Sequence, residues 1–269
     1  MSDPAGSPPS RIDFGRVAED YDATRGVPAA FMQQIVADLI ATAKLDQHAL
    51  VLEVGCGTGR FLRELAQQRI RIVGIDISHR MLDVACKSLQ ELSDTQPSLV
   101  IADAVSLPFP DRLFDAVLGV HVFHLLHDWQ EGLQAAKQAL HPGGTLIIGA
   151  LSAPMHNSQL YALYNRRRAE LNYPAQRFGG TEEEVLAYLR RMDATIQSHA
   201  FNAEASVPLR DTLDCLQRRL FSGMWYNMPD VIHRKLMTEL RTFASSQFRE
   251  PDTEERVELE ARIHYARFG

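Results

Sequence analysis

Ten residues constrain this chain more than any others: Val51-Leu52-Glu53-Val54-Gly55-Cys56-Gly57-Thr58-Gly59-Arg60, an apolar strand running into three alternate glycines and then a helix. Glycine is needed where the main chain turns with positive φ, and where a ligand must approach backbone without meeting a Cβ. The segment therefore reads as a strand–turn–helix unit with a small molecule on the turn. Spacing narrows the ligand. A dinucleotide fingerprint wants glycine or alanine three places after the second glycine, so that the helix brings its amides to a pyrophosphate. Arg60 holds that place, and the third glycine comes one residue early at Gly59. Glu53, two residues before Gly55, sets a carboxylate beside the turn, which repels a pyrophosphate and suits a ligand bearing ammonium or sulfonium charge.

From residue 49 onward short branched apolar runs alternate with helical patterns, the signature of a parallel sheet joined by crossover helices. Strands are expected at Ala49 to Val54, Arg71 to Ile75, Ser98 to Ala102, Phe114 to Val120 and Gly144 to Ala150. Helices are expected around Arg60 to Gln68, His79 to Leu92 (capped by Ser78) and Trp129 to Leu140, the last stopped by His141-Pro142-Gly143-Gly144. After Ala150 the alternation stops. Tyr161 to Leu171 and Thr181 to Met192 read as two helices of an insertion, followed by a strand over Ala194 to Val207. Helices at Leu209 to Phe221 and Pro229 to Phe248 and a last strand over Arg256 to Arg267 complete the chain. The expected fold is α/β: a doubly wound, mostly parallel seven-stranded sheet with an antiparallel edge and a helical lid insertion. Its expected parts are a disordered tail over 1–12, a ligand-binding core over 13–150, the insertion over 151–193 and a completing segment over 194–269.

Composition removes several function classes. Lysine and arginine total 28 against 34 acids, a formal charge of −6, which argues against a surface built to neutralise phosphates, so no nucleic-acid partner is expected. Three scattered cysteines make neither a disulfide framework nor a zinc site, as expected of a reducing cytoplasm. The opening Ser/Pro/Gly-rich residues lack the basic end and apolar run of a secretory signal. The longest apolar stretch, Ala116 to Leu126, contains two histidines and falls short of the ~20 residues of a membrane span.

S-adenosylmethionine carries the charge that Glu53 suits, and with these residues in view the chain resembles the class I S-adenosylmethionine-dependent methyltransferases, in particular the type 11 or ubiquinone/menaquinone-biosynthesis-like group. The likeness runs from about Phe14 to Ala150. Glu53, Gly55, Gly57 and Gly59 match the acid and G-x-G-x-G that close the family's first strand, although aspartate is more usual at the first place. Val73-Gly74-Ile75-Asp76-Ile77-Ser78 looks like the second motif, whose acid accepts both ribose hydroxyls. That implies the role for Asp76, with Ile77 beside the cofactor. Ala102-Asp103-Ala104 is similar to the motif after strand three, implying that Asp103 takes the adenine amino group and the Ala104 amide meets a ring nitrogen. Leu140-His141-Pro142-Gly143-Gly144 resembles the turn before strand five. Phe14 to Arg25 is similar to an amino-terminal helix that closes over the cofactor, which implies that Tyr21 and Arg25 reach the methionine end, Arg25 against its carboxylate.

Methyl transfer is an in-line displacement in which positive charge disperses, so holding the acceptor in line and excluding water carry much of the catalysis. A base is needed only where the acceptor must lose a proton. His121 is expected to line the cofactor pocket and His124 to face the acceptor as candidate base, while His127 beside Asp128 reads as local packing. A metal site of these histidines lacks the carboxylate–histidine spacing of a known one. Tyr161, Tyr164, Phe178, Trp225 and Tyr226 are candidate aromatic walls of a small-molecule acceptor pocket, and Arg166, Arg167 and Arg168 a candidate cationic rim. A nicotinamide-dependent oxidoreductase, weakened by Arg60 and Asp103, and a non-catalytic S-adenosylmethionine-binding module remain the alternatives. The acceptor and the oligomeric state are not legible.

Overall fold

The computed structural model describes residues 12–90, 92, 96–225, 228–247 and 253–269. The expected tail over 1–11 lies outside them, but Ile12, placed with that tail, is buried. In place of a single amino-terminal helix, a 3-10 segment over Phe14–Asp20 leads into the short α1 (Tyr21–Arg25). Then comes α2 (Ala29–Ala43), a helix absent from the sequence expectations. Its buried Phe31, Met32, Ile35, Val36 and Leu39 fall at helical spacing, and Lys44 ends it in a left-handed conformation.

The alternation follows: β1 (Leu50–Val54), α3 (Arg60–Gln67), β2 (Arg71–Asp76), α4 (His79–Leu89), β3 (Ser98–Ile101), β4 (Phe114–Val120), α5 (Trp129–Ala139) and β5 (Leu140–Leu151). Ser78 stands at the amino end of α4, but its side chain caps nothing; its own N–H donates to Asp76 Oδ1 instead. Leu140, expected to end a helix, already pairs with Phe114 in the sheet, and the register shifts before Thr145 meets Ala116. Beyond β5 lie α6 (Gln159–Glu170), α7 (Glu182–Arg191), β6 (Ala194–Pro208), α8 (Leu209–Gln217), α9 (Asp230–Gln247) and β7 (Glu254–Phe268).

Seven strands form one sheet in the order β3-β2-β1-β4-β5-β7-β6, with β7 slotted antiparallel between β5 and β6. Apolar side chains cover both faces, so β1 reads as an apolar run interrupted by Glu53 alone. Val51, Ala116, Leu118, Ile147 and Ile263 meet α2 and α3 on one face. Leu52, Val54, Val117, Leu146 and Ile148 meet α5 and α7 on the other. The expected insertion thus divides: α7 covers the sheet through Val185 and Leu189, whereas α6 joins α8 and α9 in a separate helical layer around Tyr164, Leu216 and Leu236. No single helix among the described residues is long and apolar enough to cross a membrane.

Candidate functional site

The strand order reverses between β2-β1 on one side and β4 on the other, and an open sheet leaves its ligand crevice there, at the carboxyl ends. Gly55 and Gly57 take φ of 66° and 56° as β1 turns into α3. A Cβ on Gly55 would stand 2.8 Å from Val122 Cγ2, so this turn requires glycine on two counts. Gly59, φ 83°, faces away toward Ala85 of α4; its role is helix packing.

The cleft over this turn, about 690 Å³ with the solvent at its mouth included, brings together Tyr21, Gly55, Gly57, Asp76, Ile77, Asp103, Ala104 and His121, as the motifs imply. Met81, Val122, Leu125 and Leu126 add apolar walls. Asp76 ties the loops together: the Gly57 N–H donates to its Oδ2 at 2.9 Å and the Ser78 N–H to its Oδ1 at 2.8 Å. Each carboxylate oxygen keeps a second acceptor site for a ligand hydroxyl. Burial raises the Asp76 pKa, against these two amide bonds and a third from the Ile77 backbone. Asp103 Oδ1 accepts the Val105 N–H at 3.1 Å. Ile77, unusually exposed for an isoleucine at 42%, offers a flat apolar face to the cleft.

Glu53 lies below the turn, not in the cleft. Strand alternation sets it on the Val51 face, where the α3 backbone at Leu62 donates to it. It is 4% exposed, and its Oε2 has no hydrogen-bond partner among the described residues. Burial pushes its pKa up to about 8, opposed by the Arg60 guanidinium.

A second chamber, about 520 Å³ counted in the same way, adjoins the cleft through Phe14, Tyr21, His121 and Leu125, which line both. It adds Arg25, Arg60, His124, Leu151, Ala153 and His156. His121 has a left-handed backbone, φ 59°, rare for a residue with a Cβ. Its own N–H donates to the Gly149 carbonyl, and the Leu151 N–H donates to its Nε2 at 2.8 Å. Because that amide can only donate, the neutral ring carries its proton on Nδ1. Burial lowers its pKa to about 3, helped by His124, Arg60 and His156. His121 is therefore a fixed donor with no free lone pair. His124 packs edge-on to it, 5.8 Å between centroids. Solvent in the chamber reaches the His124 ring, yet burial by the protein packed around it lowers its pKa to about 4, so it is neutral near pH 7.

Arg25 lies over the rings of Tyr21 and Phe221, 4.9 and 5.1 Å from their centroids. It donates to Thr24 Oγ1 and the Leu220 carbonyl, both neutral. Arg60 donates to the Arg25 carbonyl and stands 4.0 Å from Asp22.

The expected acceptor walls are placed differently. Tyr164 is fully buried in the helical layer, its hydroxyl 2.8 Å from His233 Nδ1. Arg168 is buried too, donating to the Tyr173 and Pro174 carbonyls, and Arg167 pairs with Glu170 and Glu239, so these arginines form no rim. Phe178 lines neither the cleft nor the chamber. Trp225 backs the wall at one remove, 5.1 Å from Phe14 with its Nε1–H on the Arg219 carbonyl. Tyr161 does likewise, stacked 4.6 Å from His156, and Tyr226 lies outside the described residues. His156 is the chamber residue that sequence reasoning missed. It sits on a 3-10 segment over Pro154–Asn157 just past β5, with no motif around it. The signal available was its position, since carboxyl-end loops carry the ligands of such sheets.

Comparison with known proteins agrees with this geometry. Residues 52–148 match the family described as methyltransferase domain. A demethylmenaquinone methyltransferase of Tropheryma whipplei is 36% identical over 156 residues, 57% of this chain and 64% of that protein. That of Thermotoga maritima is 29% identical over 160 residues, 56% of this chain and 66% of its own. The matches thus span just under two thirds of the length of these curated relatives. Among solved structures, the magnesium protoporphyrin IX methyltransferase of Synechocystis with bound S-adenosylhomocysteine superposes with a TM-score of 0.53 at 16% identity, covering 94% of both chains. The [4+2]-cyclase SpnF does so with 0.55 at 19%, covering 97% of this chain and 99% of its own. The fold is the one these two structures share.

Proposed function

We propose that this chain, built around a methyltransferase domain over residues 52–148, transfers a methyl group from S-adenosylmethionine to a small-molecule acceptor. The observation that carries the reading is Asp76: a carboxylate at the end of β2, held by the Gly57 amide of the glycine turn, in one cleft with Asp103.

The donor set of the cleft fits the cofactor. Two acids stand at separate points along an apolar-walled slot, suited to a sugar and a base, and the glycine turn brings bare backbone to the same slot. Asp76 would accept the ribose hydroxyls on its remaining lone pairs. Asp103 would accept the adenine amino group and the Ala104 N–H would donate to the ring, with Ile77 against its face. Tyr21 and Arg25 would hold the methionine end, the guanidinium against the carboxylate. When bound, S-adenosylmethionine supplies an electrophilic methyl group on a sulfonium. The protein's own part is to close the Phe14–Arg25 segment over the junction of cleft and chamber, excluding water. His121 presents its Nδ1–H there as a fixed donor. His124, neutral and with no hydrogen-bond partner on its ring among the described residues, is the group placed to take a proton from the acceptor. Demethylmenaquinone methyltransferase relatives favour transfer over a pure binding role, and Arg60, in the place where a dinucleotide fingerprint wants glycine or alanine, counts against a nicotinamide cofactor.

Calorimetric titration with S-adenosylhomocysteine tests the assignment. Asp76→Asn keeps an acceptor for the Gly57 amide but loses the charge, and is expected to weaken binding by about 10- to 100-fold, as for one or two hydrogen bonds to a charged group. Unchanged affinity would remove Asp76 from the ribose site.

A further inference from the structure

The hydroxyl of Thr58 serves neither the cleft nor the chamber. Thr58 stands between Gly57 and Gly59 in the glycine turn, 3% exposed, and its Oγ1 donates to Asp22 Oδ1 of α1 at 2.6 Å. Two residues on, Arg60 donates to the Arg25 carbonyl at 2.7 Å and stands 4.0 Å from the same Asp22 oxygen. Asp22 likewise lines neither cavity; it meets Thr58 in a groove shared with Gly26, Gly59 and Arg63. A helix of five residues is too short to hold its own shape, so α1 lies where its tethers put it. Those tethers set Tyr21 and Arg25, one turn apart with the guanidinium 4.9 Å over the ring, against the cleft and the chamber. The Phe14–Arg25 segment has a second seat near its start, where a Cβ on Gly15 would stand 2.7 Å from Ser78 Oγ. That seat is a packing contact, whereas the one at Thr58 is a hydrogen bond to a carboxylate, the stronger tie.

From this we infer that Thr58 and Asp22 are positioning residues: their hydrogen bond latches the covering segment to the glycine turn and sets how fast the S-adenosyl ligand leaves. The inference rests on the methyl-transfer reading and extends it to ligand release. With the bond made, α1 holds Tyr21 and Arg25 over the junction of cleft and chamber; it lifts only when the bond breaks. Entry takes place with the segment open, so the latch slows release and leaves entry unchanged. Thr58 and Asp22 act through α1 and touch no ligand themselves, which separates them from Arg60, a chamber residue as well as a tether.

Stopped-flow binding and displacement of S-adenosylhomocysteine test this on Thr58→Val, Asp22→Ala and the double variant. Each single variant is expected to release the ligand about tenfold faster, the size of one hydrogen bond to a charged group, with an entry rate within about threefold of the parent's. The double variant is expected to release no faster than either single one, since both remove the same bond. Thr58→Ser keeps the hydroxyl and is expected to release at close to the parent's rate. Asp22 is half exposed, so its truncation leaves the core intact even where Thr58→Val disturbs the turn. A parental release rate in Asp22→Ala overturns the inference, as does a double variant in which the two effects multiply. A parent that binds no S-adenosylhomocysteine brings down the methyltransferase reading, and this inference with it.

Discussion

Glu53→Gln isolates the most unusual group in the molecule, a carboxyl 4% exposed with one oxygen unpartnered and a pKa of about 8. Its ordinary value is 4.5, so between 4.5 and 8 the folded chain holds a proton that the unfolded chain has released. Stability carried by this group is therefore full below pH 4.5 and is lost as pH rises toward 8. At about 1.4 kcal/mol per unit, the 3.5-unit difference sets a ceiling of about 5 kcal/mol, of which about 3 kcal/mol falls between pH 5.5 and 8.5. Glutamine retains an oxygen for the Leu62 amide but places an NH₂ where Oε2 had no partner, a cost of about 1–3 kcal/mol at every pH. The signal is consequently the slope, not the offset. Urea unfolding of parent and variant at several pH values from 5.5 to 8.5 reads it: the parent's midpoint should fall by about 1 M more than the variant's, taking a dependence of about 3 kcal/mol per molar urea. His121 and His156, lowered, titrate in both proteins and drop out of the difference, whereas Asp76, whose charge helps to raise the Glu53 pKa, contributes to it in the same direction. Parallel pH curves for the two would refute the claim that Glu53 is protonated in the folded chain.

Two further substitutions separate chemistry from architecture. Tyr164→Phe strips the hydroxyl from His233 Nδ1 inside the helical layer and should cost about 1–3 kcal/mol in thermal or urea unfolding, with S-adenosylhomocysteine affinity unchanged; a stability equal to the parent's would contradict the buried placement. His124→Asn should leave that affinity within twofold while lowering kcat by about 10²–10⁴ on an acceptor that must lose a proton, and a parental kcat would remove His124 as base.

The apolar run into Gly55-Cys56-Gly57 and the alternation of branched runs with helical patterns were enough to place β1 to β5, because a backbone turn with positive φ and a buried parallel strand each demand residue types that show in sequence, whereas the carboxylates Asp76 and Asp103 were marked out by the family resemblance. The two late strands were visible for the same reason, but not that β7 would insert between β5 and β6, since pairing partners depend on long-range register. Helix α2 escaped because apolar residues lie around most of its circumference, blurring the stripe that marks a surface helix. Tyr164 and Arg168 look in sequence like any wall or rim residues; only packing decides that their helix turns them into its own layer, where a histidine and two carbonyls satisfy them. His156 shows the converse. Nothing local distinguishes it, and it becomes a chamber residue because β5, the amino-terminal segment and the helical layer converge on one point in space, a convergence with no counterpart in neighbouring sequence.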